Sequence, residues 1–177
     1  MAITNPTSNI EYQDPQTKSP SYNYRLYAAR MRDEVDMDQF PKAVKGVISA
    51  KIPMKDSAEF AYICALSSSI IPAIANSNDL LGQLTIPFTI EGMSGDLLDK
   101  LYQMQGERYI VIFEHCATGT KFIGGSPCSS GLKFTYQNIG TNDNVRGATC
   151  QFQGEPCSDP LWEYSADIPG HEPAEQG

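Results

Sequence analysis

Imidazole and thiol chemistry in this chain rests on His115 and His171 and on Cys64, Cys116, Cys128, Cys150 and Cys157. A cysteine–histidine nucleophile needs its two side chains facing each other. His115 and Cys116 are chain neighbours, and neighbours on a strand point to opposite faces. Cys128 is the other thiol that His115 could meet, and His171 lies in a charged C-terminal segment. Zinc sites favour closely spaced pairs such as C-x2-C, whereas the last four cysteines run C-x11-C-x21-C-x6-C. No metal site is expected. An odd number of cysteines in a chain whose first residues carry no secretory h-region points to reduced, buried thiols.

The glycine motifs fail on spacing. Gly124-Gly125-Ser126-Pro127-Cys128 lacks the second glycine of a G-x-S-x-G elbow. Gly119-Thr120-Lys121 lacks the upstream glycine of a phosphate-binding loop, and no helix follows to receive phosphate. The carboxylate pairs Asp33/Glu34 and Asp36/Asp38 fall in a charged connector and read as solvated. No catalytic, cofactor-binding or metal-binding residue is expected, and the chain reads as something other than an enzyme.

The elements that would carry such residues are mostly strands. Val47–Ile52 reads as a strand closed by Pro53. Residues 56–76 fit either a strand, with Phe60, Tyr62, Cys64 and Leu66 on one face, or a short helix capped by Asp56. Leu84, Ile86, Phe88 and Ile90 alternate without a break, and Pro87 among them asks for an edge or a bulge. Ser94 caps and Gly106 stops a helix over about 96–105 whose apolar face is Leu97, Leu98, Leu101 and Tyr102. Tyr109–Phe113 is a continuous apolar run of the kind found in a central strand. Lys121–Ile123, then Leu132, Phe134 and Tyr136, and finally Ala148–Phe152 complete the strands, with a polar loop over 138–147. Strands, one helix, then more strands predict a mainly β domain: a β-sandwich or barrel with one packed helix and extended terminal arms.

The 177 residues, 41% of them hydrophobic, suffice for one core, and no run is long and apolar enough to span a membrane. The net charge of −8 is uneven: Glu155, Asp159, Glu163, Asp167, Glu172 and Glu175 are answered by no Lys or Arg after position 154. The first 154 residues hold 13 basic and 15 acidic residues, a net of −2. No basic footprint for nucleic acid exists. Residues 1–30 read as an extended arm dotted with Tyr12, Tyr22, Tyr24 and Tyr27, either a plain tail or a segment that docks on a neighbour. Residues 31–164 form the β-domain, and 165–177 an acidic tail whose prolines suit an outer surface strap.

One family shares several of these features. Tyr109-Ile110-Val111-Ile112-Phe113, then Thr118-Gly119 and Phe122-Ile123-Gly124-Gly125, are followed by Gly131-Leu132-Lys133-Phe134-Thr135-Tyr136. Phe152-Gln153-Gly154-Glu155 comes next, and Pro160 before Tyr164. This order resembles tail proteins of tailed bacteriophages and prophages, especially those of Bacteroidetes-type hosts. Residues 33–90, with the helix after them, are similar to the front half of a tail tube protein. The resemblance implies a virion subunit, made in the bacterial host cytoplasm, that forms homo-hexameric rings. The rings would stack into a channel that DNA crosses without specific binding, with tape measure, terminator or baseplate proteins as neighbours, no membrane and no cofactor. The long arm and the five cysteines depart from a minimal tube subunit and keep distal-tail, terminator and neck-ring proteins open. A non-viral β-sandwich that binds a sugar or peptide is the alternative from another class.

Overall fold

The alternation of Leu84, Ile86, Phe88 and Ile90 and the solid run Tyr109–Phe113 both become strands in a computed structural model of the chain. The structure describes residues 24–66, 69–76, 81–141 and 146–172. The first 23 residues of the expected arm, the loop at 77–80 and the final five residues of the expected tail lie outside the described residues. In chain order the strands are β1 (Tyr24–Arg30), β2 (Val47–Ile48), β3 (Ala61–Ile63), β4 (Ala73–Asn76) and β5 (Gly82–Glu91). Helix α1 (Gly95–Met104) follows, then β6 (Arg108–His115), β7 (Lys121–Gly124), β8 (Leu132–Thr141), β9 (Arg146–Gly154) and β10 (Leu161–Tyr164). The chain is mainly β with one α-helix among the described residues, as its pattern predicts.

Strand β6 is the hub. From Tyr109 to His115 it pairs antiparallel with β1, Tyr24 lying opposite His115 and Arg30 opposite Tyr109. Its other edge is shared: Val111–Glu114 face β7, while Arg108 and Tyr109 face β8. From this hub one branch runs β7–β10–β2 and another runs β8–β9–β5–β4, while β1 carries β3 on its far side. The two branches turn their inner faces toward each other. Leu26, Ala28, Tyr109, Val111 and Phe113 enclose one core with Leu84, Ile86, Phe88, Phe134 and Phe152. Phe88 stacks on Phe152 with ring centroids 5.4 Å apart, and Tyr109 meets Phe152 edge-on at 5.6 Å.

The opposite face of β1 and β6 is buried too. Tyr27, Ala29, Ile110 and Ile112 pack a second core with Val35, Ile48, Ile52, Phe60, Tyr164 and Ile168. Burial on both faces is why Tyr109–Phe113 is apolar at every position rather than at every second one. Residues 31–60 are thus a cover, and the part of them expected to be a loose charged connector, up to Val44, belongs to it. Val35 bridges Met54, the Asp36 amide bonds the Pro53 carbonyl at 2.9 Å, and a 3-10 turn spans Met37–Gln39. The far end of the expected arm is corrected in the same way. Tyr24–Arg30 is a core strand, and Tyr27 is buried between sheet and cover instead of free to anchor a neighbour.

Helix α1 follows its sequence signals closely. Ser94 Oγ accepts the Leu97 amide at 3.1 Å, Leu97 and Leu101 are buried, and Gly106 takes the left-handed φ of +81° that ends the helix. Met104 fills the place expected of Tyr102, which is 56% exposed. Residues 61–63 and 73–76 resolve the helix-or-strand alternative as strand. The strand expected over 47–52 is only two residues long. Strands β8 and β9 reach into the expected 138–147 loop, with a bulge between Tyr136 and Asn138. Strand β10, rather than residues 148–152, is the last strand among the described residues, and Glu163 lies on it.

Candidate functional site

Two places gather unusual exposure or chemistry. The first is the outer edge of β4. Its four residues pair with Gly82–Thr85 on one side, and all four are exposed. Beyond Thr85, β5 continues without a strand on that side. There the Ile71 amide bonds the Pro87 carbonyl at 3.3 Å, and Ser69 Oγ accepts the Thr89 amide at 2.8 Å. Because a strand residue's N and O point the same way, Pro87 turns its hydrogen-less nitrogen to this side and spares the ladder to β9. The proline therefore sits where β5 behaves as an edge, as the sequence requires.

That edge is apolar. Ile71 is 62% exposed and Ile74 49%. No Asp, Glu, Lys or Arg occurs from Phe60 to Asn78. Monomeric β proteins blunt such edges with inward charges, bulges or cover. The opposite end of the sheet is treated differently: the Val44 and Val47 backbones close a turn on each other beside β2, through Lys45 and Gly46 at positive φ. Only β4 combines a free ladder with exposed isoleucines among the described strands.

The second place lies beyond the paired ends of β7 and β10, after Gly124 and before Leu161. Cys128, in the 3-10 turn Pro127–Ser129, forms a disulfide with Cys157, their Cα atoms 5.7 Å apart. This corrects the expectation of five reduced thiols; Cys64, Cys116 and Cys150 are free. Cys157 is buried and clamped by reciprocal backbone bonds with Gly82 of 2.8 and 2.9 Å. Asp159 Oδ1 lies 3.2 Å from Cys157 Sγ and accepts the Ser158 hydroxyl at 3.2 Å. Partners separated by 29 positions leave no local spacing in the sequence to read.

The other candidates from the sequence are structural. His115 ends β6, and its Nδ1 accepts the Thr118 amide at 3.3 Å inside a turn. His171 packs against the Tyr27 ring with centroids 4.9 Å apart, its Nε2 2.6 Å from the Phe60 carbonyl. Gly124-Gly125-Ser126 is buried against β6 and β5 rather than raised as an exposed elbow. Glu34 is not solvated: it is buried, and its carboxylate accepts the Arg30 amide at 2.7 Å. Asp33 pairs with Arg30 and Arg32. Residues 165–172 are also more than a tail. Tyr164 donates its hydroxyl to the Asp167 carbonyl at 2.7 Å and accepts the Ile52 amide at 3.2 Å, while Lys51 pairs with Glu172. Burial pushes the Tyr164 hydroxyl up to about 12.

No protein-family model, curated protein or solved structure matches the chain.

Proposed function

We propose that the chain is a structural subunit that assembles with copies of itself through the β4 edge. The assembly we favour is the ring of a phage tail tube. The observation that carries self-assembly is the exposed, uncharged ladder at Ala73–Asn76, with Ile71 and Ile74 exposed along it. A bare ladder recruits another chain by adding a strand, which satisfies its unpaired N–H and C=O groups. A contact between β4 and a different surface of the next copy closes into a ring when the rotation allows.

The tail context rests on the order of glycine turns and aromatic strand positions described above. A near-neutral body without a basic stripe suits a channel wall, because each phosphate it neutralised would hold the passing DNA. Tape measure, terminator or baseplate proteins would then be the axial neighbours, and a distal-tail, terminator or neck ring is the variant with the same contacts.

The test is the assembly state of the purified chain, by mass photometry and electron microscopy. Closed rings with a central channel, alone or stacked, are expected. A two-fold dimer sealed by two β4 strands would overturn the ring, and a monomer at tens of micromolar would overturn self-assembly and favour a soluble binding module.

A further inference from the structure

We propose that, once reduced, Cys128, Cys157 and Asp159 form a Zn²⁺ site that replaces the disulfide as the staple between the 127–129 turn and the segment leading into β10. One ligand atom from each residue lies within 4.8 Å of the others, although Cys128 is far from the other two in sequence. Zinc takes thiolate sulfur at about 2.3 Å and carboxylate oxygen at about 2.0–2.2 Å in tetrahedral array, which places two sulfurs about 3.8 Å apart. Cα atoms 5.7 Å apart are close enough for that spacing.

The ligands are also held. Cys157 is fixed by its paired bonds to Gly82, and Asp159 is oriented by the Ser158 hydroxyl. An outer-sphere bond of that kind is how metal sites aim a carboxylate. Among the described residues Asp159 has no Lys or Arg partner. With Asp159 Oδ1 3.2 Å from Cys157 Sγ, one divalent cation can be held by both ligands and balance their charge. Cys128 is exposed, so the ion has a way in and a fourth position open to water.

The chemistry balances. A dithiol reductant gives two electrons and two protons to the disulfide, yielding two thiols and the oxidised reductant. Zn²⁺ then displaces both thiol protons and binds two thiolates and one carboxylate. Thiolate with carboxylate suits Zn²⁺ among the common divalent ions, and Co²⁺ reports the same geometry by its absorption.

The experiment uses the whole chain, reduced without oxygen and titrated with Zn²⁺ against a chromophoric chelator, then with Co²⁺. The wild type should bind one more Zn²⁺ per chain than Cys128→Ser and show sulfur-to-cobalt charge transfer that the variant lacks. Loss of an outer-sphere partner alone costs about 10–100-fold in metal affinity, so Asp159→Asn should weaken binding at least about tenfold. Disulfide formation by oxidised Asp159→Asn is the control that this variant folds. Equal zinc binding by the wild type and Cys128→Ser, or unchanged affinity in Asp159→Asn, would overturn the site.

Discussion

Gly124 of β7 lies against Leu84 of β5: a Cβ on the glycine would stand 2.4 Å from Leu84 Cδ2. The contact joins the two branches of the sheet across the main core, and Leu84 is fully buried, so it cannot swing aside. Gly124→Ala should destabilise the fold by about 1–3 kcal/mol, the usual cost of one methyl too many in a packed core. In a Leu84→Ala background the same change should cost less, and a double-mutant cycle by urea unfolding measures the coupling. Additive effects would mean that the branches do not meet there.

The helix offers a paired comparison. Leu101 is buried and Tyr102 beside it is mostly exposed. Leu101→Ala should cost about 2–5 kcal/mol, and Tyr102→Ala within about 0.5 kcal/mol, as surface changes do. Equilibrium unfolding of both variants checks the assignment of the two faces.

Alkaline pH should expose the second core. Tyr164 ionises near 10 when unfolded and is pushed up to about 12 in the fold by burial. Its native proton therefore stabilises the fold fully below pH 10, and that stability is lost as pH rises toward 12. Burial also raises Tyr27, Tyr62 and Tyr109, and it pushes the Cys150 thiol up to about 12. Stability should fall by up to about 1.4 kcal/mol per pH unit for each such group, above pH 10 for the tyrosines and above about pH 9 for Cys150. Tyr164→Phe should lower stability at neutral pH and make the alkaline slope shallower by one proton. An unchanged slope would place Tyr164 in contact with water.

The elements easiest to see in the sequence are those with one dominant environment. Strand β5 alternates because one face is buried, α1 carries both of its caps, and β6 is apolar throughout because both of its faces are covered. Strand β1 has the same two-sided burial, but its small alanines and flanking Arg25 and Arg30 conceal it next to a polar, tyrosine-dotted stretch. Glu34 looked solvated by composition, yet a backbone amide four residues earlier in the chain holds it inside. Strand β4 has no pattern to find, because all four of its residues are exposed in a single chain. The cysteine cluster is built by the clamp between Gly82 and Cys157, a long-range contact that no spacing encodes.

Ile74→Lys separates a β4 edge that joins one copy to the next, as proposed, from a bystander edge. A lysine there adds the charge that natural sheet edges use against strand addition, at a position already half exposed. Mass photometry of the two proteins at equal concentration is the measurement, with thermal unfolding as the control for folding. Rings are expected for the wild type and a folded monomer of unchanged cooperativity for Ile74→Lys. Rings of equal size and abundance from both proteins would contradict the proposed role of the β4 edge.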